Sequence, residues 1–151
     1  MVFGSCFASE QSSSVWFLVF IMENRNIYGF EKLVVYQKAK EYVVTIYSLI
    51  KKFPKEEQYA MCDQLRRASV SVVSNIAEGT SRVAIKEKIH FLDIAYGSLM
   101  ETYSQMDVAV DLGYLQKEDL SVVKRKGLEV TKLLAGLKKS YQESSCEDSK
   151  N

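Results

Sequence analysis

From Phe30 onward, apolar residues recur at alternating steps of three and four, the spacing of helices with one buried stripe. The first stripe, Tyr36, Ala39, Val43, Ile46, Ile50 and Phe53, predicts a helix over about Glu31 to Lys52, with Tyr47 and Leu49 widening its apolar face. Pro54 stops it, because proline has no amide to donate and disfavours helix in the residue before it. The second stripe, Met61, Leu65, Ala68, Val72, Ile76 and Gly79, predicts a helix over about Lys55 to Glu78. Val70, Val73 and Ala77 give it a second apolar edge, so cover on two sides is expected. Its many small residues, among them Ala68, Ser71 and Ser74, permit close approach of a neighbour. Gly79 is placed to be the left-handed residue after its last turn. The third stripe is the longest: Ile89, Leu92, Tyr96, Leu99, Tyr103, Met106, Val110 and Gly113 form an unbroken heptad seam. The fourth, Leu120, Val123, Gly127, Val130, Leu134, Leu137 and Tyr141, predicts a helix over about Lys117 to Tyr141. Its other face carries Lys124, Lys126, Lys132 and Lys139.

Four such helices joined by short links make an all-α, up-down-up-down antiparallel four-helix bundle, expected over residues 28–141. A polar tail over 142–151 is expected to fray. Residues 1–27 differ in kind. Val15 to Met22 is an apolar run too short to span a membrane, and no basic residue precedes it as an export signal would require. The favoured reading is an extension outside the fold, with Met22 as the true start; a genuine extension and a degenerate export signal are the alternatives.

A length of 151 residues leaves room for one core, and a single proline with seven glycines argues against a many-stranded fold. Apolar residues at 47% and charged residues at 26% are ordinary for a soluble domain. Net charge is +1, but Met22 to Tyr141 holds 19 basic against 15 acidic residues, an excess of four. Cys6, Cys62 and Cys146 lie far apart with no paired spacing, which excludes a zinc site or disulfide framework and suits a reducing cytoplasm. Cys62 is expected in the core. His90 is the only histidine and is expected to be a partly exposed helix residue. Paired Glu-x-x-His motifs, a nucleophile elbow and glycine-rich phosphate loops are absent from the sequence, so no enzyme, catalytic residue, cofactor or metal is expected.

The remaining candidates are polar residues set against the apolar pattern. Arg66 and Arg67 are adjacent and therefore point about 100° apart on a helix. One reading pairs Arg67 with Glu101 across the second and third helices, and has Asn75, near Glu78 in the last turns, fix register as a buried amide. The other gathers Arg66, Arg82, Lys86 and Lys88 into a phosphate-contacting patch for nucleic acid.

The segments Phe30-Glu31-Lys32-Leu33, Gln64-Leu65-Arg66-Arg67-Ala68, Asn75-Ile76-Ala77-Glu78-Gly79, Ala95-Tyr96-Gly97-Ser98-Leu99-Met100-Glu101 and Leu112-Gly113-Tyr114 carry a family likeness. The chain resembles the bacterial four helix bundle proteins, also known as 23S ribosomal RNA intervening-sequence proteins, over roughly residues 28–140. The resemblance implies a small bundle assembling as a homopentamer, without catalytic activity. It also implies a genetic setting inside ribosomal RNA genes for some members, and, for a related branch of retroelement accessory proteins, binding to a reverse transcriptase and nucleic acid. One departure is Ala84, which stands where the family's capping residue is polar, so the start of the third helix is open and Thr80 or Ser81 is an alternative cap.

Two functions follow as expectations. The first is a homo-oligomeric bundle that binds ribosomal RNA or a nucleoprotein through basic helix faces. The second is a protein–protein scaffold using aromatic residues outside the seams, Tyr28, Phe30, Tyr42 and Tyr59. A membrane partner is not expected.

Overall fold

The computed structural model describes residues 28–148, so the expected extension over 1–27 lies outside the described residues. Four helices form, α1 (Val34–Leu49), α2 (Met61–Ser81), α3 (Ile85–Asp111) and α4 (Lys117–Asp148). Each packs against its neighbours in sequence, and α1 closes the ring against α4, giving the up-down bundle. The α2–α3 pairing is the most extensive.

The helix ends follow from local chemistry. Leu49 gives way to a 3₁₀ turn over Ile50–Lys52, and Phe53 is extended (φ −70°, ψ 150°), as Pro54 requires. A second 3₁₀ turn, Lys55–Glu57, delays α2 to Met61 instead of Lys55. The Glu57 carboxylate then accepts the Met61 amide at 3.2 Å and the Tyr114 hydroxyl at 3.2 Å, tying both links at this end together. Gly113 adopts φ +78° and closes α3. Its amide reaches the Val110 carbonyl, and the Tyr114 amide reaches that of Ala109, both at 2.9 Å, a Schellman pair. In the first turn of α4, Asp119 accepts the Gln116 amide at 3.2 Å and the Lys52 ammonium at 2.8 Å. The ammonium lowers the Asp119 carboxyl below its ordinary value. α3 starts at Ile85 behind Ala84, which offers no side-chain cap; Thr80 and Ser81 bond back to the Ala77 and Glu78 carbonyls of α2 instead. α4 is helical as far as Asp148, past the expected end at Tyr141 and into the segment expected to fray.

The core holds Tyr42, Ile46, Leu65, Val72, Ile76, Leu92, Leu99, Met106, Val123 and Val130, fully buried. Cys62 is buried as expected, and burial pushes its thiol up. Four expectations need correction. The α1 stripe is shifted: Ala39 and Ile46 are buried as expected, but Val35 and Tyr42 are buried in place of Tyr36 and Val43, which are half-buried. The α3 seam is rotated: Leu92, Leu99 and Met106 are shared, but Ala95, Thr102 and Ala109 are buried in place of Tyr96, Tyr103 and Val110, and Tyr96 is 45% exposed. Small side chains let α2 and α3 close, and Tyr103 and Val110 pack half-buried against the core. Gly79 is not a left-handed cap. It lies inside α2, where an added Cβ would sit 2.9 Å from Phe91 Cβ and 3.2 Å from the Lys88 carbonyl oxygen, so its role is close approach. Tyr42 is not outside the seams. It is 0% exposed, its ring packs where Gly127 leaves room, and its hydroxyl has no partner. Burial raises the phenol well above its ordinary value.

Candidate nucleic-acid interface

The α2–α3 junction positions most of the singled-out polar residues. Ser71 of α2 and Ser98 of α3 meet, Oγ to Oγ, at 2.8 Å. Asn75 donates to the Ser71 carbonyl at 2.7 Å and to its Oγ at 2.9 Å. Asn75 is half-buried, and the inter-helix bond is the serine pair that it supports. The sequence reading missed Ser98; its signal is a small polar residue on the buried face of α3.

Arg67 and Glu101 do not pair. Arg67 Nη1 lies 3.4 Å from Asp63, one turn away, and Glu101 accepts from Gln105 Nε2 at 3.1 Å. All these groups reach solvent, where a local i to i+4 partner needs less side-chain ordering than a distant one. Arg66 turns to the Gln58 carbonyl at 3.2 Å.

The four expected phosphate contacts do not form one patch. Arg66 sits about 22 Å along the α2 axis from the junction that carries Arg82, Lys86 and Lys88, at 1.5 Å per residue. Two of those three are engaged. Arg82 pairs with Glu78 and lies 4.7 Å over the Phe91 ring. Lys88 lies 5.0 Å over the Tyr141 ring. Lys86 is exposed and makes no ion pair among the described residues.

A freer cationic surface lies on the outward side of α4. Lys124, Arg125 and Lys132, with Ser121, Leu128 and Glu129, border a shallow depression of about 500 Å³. None of the three cations makes an ion pair among the described residues. Glu129, the acid among them, is taken by Lys38 of α1 at 3.4 Å, and Lys126 is turned away to Glu41 at 3.5 Å. Three uncompensated charges therefore share two turns of one helix. Lysines on this face were visible in the sequence, but Arg125 was passed over because its freedom depends on which acids the fold removes.

Beside this surface runs an apolar groove of about 160 Å³ between α3 and α4. Its walls are Leu99, Met100 and Tyr103 on one side and Lys124, Gly127, Leu128 and Thr131 on the other. Gly127 opens the floor: a Cβ there would lie 3.5 Å from the Tyr42 ring and 3.7 Å from Leu99.

His90 is exposed beside the Phe91 ring, and no cluster of three metal-ligating side chains occurs among the described residues. No helix among them is long and apolar enough to cross a membrane.

A sequence model of the 23S rRNA-intervening sequence proteins matches residues 31–136. Among solved structures, the chain is similar to a protein of unknown function from the S23 ribosomal protein family of Bacteroides thetaiotaomicron VPI-5482. Identity is 26%, the match covers 70% of this chain and 99% of that one, and the TM-score is 0.65. No curated protein matches the chain.

Proposed function

The chain belongs to the 23S rRNA-intervening sequence protein family, and from that membership we propose that it is a non-enzymatic bundle that binds RNA through the outward face of α4. The observation that carries this reading is the trio Lys124, Arg125 and Lys132, left uncompensated because Lys38 takes Glu129. Unpaired cations on an exposed helix are what a phosphate backbone needs, since each contact releases a condensed counterion. The basic excess of the helical body acts in the same direction.

The chain works as an assembly of its own copies in this reading. The ion pairs of Lys38, Glu41 and Lys52 turn one edge of α1 toward α4. The opposite edge carries exposed Tyr47, and α2 presents exposed Val70, which leaves apolar surface on the α1 and α2 side for a partner copy. Self-association multiplies the α4 trio around the assembly.

Binding of a ribosomal RNA fragment and of duplex DNA across a salt series tests the proposal. For three phosphate contacts per subunit, log affinity is expected to fall against log salt with a slope of about −2 to −3. Absence of RNA binding at low salt by the assembled protein would overturn it. The scaffold reading would then take over, favoured by Tyr59, which is 89% exposed with no described role in the core.

A further inference from the structure

We infer that the α3–α4 groove receives a single unstacked nucleobase, so that the RNA bound along α4 is single-stranded at that point. This inference rests on the RNA-binding reading and deepens it. The groove and the cationic depression are continuous: Lys124 and Leu128 border both. A ligand lying in one therefore meets the other, and a fitting ligand is apolar on one side and anionic on the other. A nucleotide has that division, with its base on one side of the sugar and its phosphate on the other.

Size narrows the occupant further. The groove holds about 160 Å³, well below the roughly 300–1,000 Å³ that a cofactor or drug-sized ligand fills. One ring system fits and a stack of two does not. The walls suit a π face: Met100 supplies a polarizable thioether, Tyr103 an aromatic ring and Leu128 an aliphatic cover. Met100 is 38% exposed and Leu128 51% exposed, so the apolar surface is open to solvent before any ligand covers it. Thr131 adds a hydroxyl among the lining groups. A paired base in a duplex is held in its stack and cannot enter, whereas a single strand turns a base out at small cost.

The test uses the full chain and three RNAs of one length: a single strand, its duplex, and a single strand with abasic sites. The single strand is expected to bind about tenfold more tightly than either of the others at equal salt. Met100→Ser with Leu128→Ser is expected to lower single-strand affinity by about tenfold, to leave the abasic strand unchanged and to keep the salt slope. Leu112→Ser, on an equally exposed leucine just past the end of α3, is the control and is expected to change nothing. Equal affinity for all three RNAs, with the steep salt slope retained, would overturn the groove while leaving RNA binding in place. Failure to bind any of them would overturn the RNA-binding reading and the groove with it. Because the abasic strand alters the ligand alone, the result does not depend on how the protein variants fold.

Discussion

Gly79 and Gly97 are both helical glycines, yet a methyl group meets opposite fates at the two. At Gly79 it collides with Phe91 Cβ at 2.9 Å, and at Gly97 it meets nothing within 4 Å. Gly79→Ala is expected to lose about 1–2 kcal/mol, because overpacking between two backbones outweighs the gain in helix propensity. Gly97→Ala is expected to gain about 0.5–1 kcal/mol from propensity alone. Urea unfolding of the two variants measures the difference, and a stabilised Gly79→Ala would refute the close-approach role. Tyr42 gives a second test. Its buried hydroxyl has no partner, so Tyr42→Phe is expected to hold or raise stability by about 1 kcal/mol at neutral pH. The folded phenol titrates above its ordinary 10.0, so the unfolded chain ionises first and stability falls as pH rises above that value. Melts of the variant are therefore expected to show a shallower alkaline loss; an unchanged loss would contradict the buried phenol.

At the scale of elements, the ends of the helices are held by pairs distant in sequence. Lys52, in the turn after α1, holds Asp119 in the first turn of α4. Because the folded carboxyl titrates below its ordinary 3.8, its contribution is complete above that value and is lost as pH falls through the lower folded one. Asp119→Asn is expected to flatten the acid limb of a stability–pH profile below about pH 4 while leaving the alkaline limb intact. These same elements show what a linear pattern carries. The stripe of α4 was legible because its large aliphatic residues, Val123, Val130 and Leu134, sit at the buried positions, whereas the α1 stripe is displaced toward Val35, Tyr42 and Leu49 and leaves Tyr36 and Val43 half-buried. In α3 the pattern offered two columns beside Leu92 and Leu99, and apolar size favoured the tyrosines. Packing chose Ala95 and Thr102 because α2 comes too close for a ring. Gly79 was misread for the same reason. A glycine near a helix end looks like a cap until the neighbouring helix is known.

At the scale of the whole molecule, charge is legible as a count but not as a surface. Arg82 could have been discounted from sequence, since Glu78 lies four residues before it. The freedom of Lys124, Arg125 and Lys132 could not, because it depends on Lys38 reaching Glu129 from another helix. The fold thus moves the best candidate interface from the α2–α3 junction to α4. The two surfaces are separable by experiment, since each carries three cations on exposed or half-buried positions. Two triple variants, Lys124→Gln, Arg125→Gln, Lys132→Gln and Arg82→Gln, Lys86→Gln, Lys88→Gln, remove the same formal charge from different places. The most direct measurement is the slope of log RNA affinity against log salt for both. The α4 variant is expected to lose most of a slope of about −2 to −3, with the junction variant close to the unaltered protein. Equal slopes for the α4 variant and the unaltered chain would contradict the assignment of RNA binding to α4.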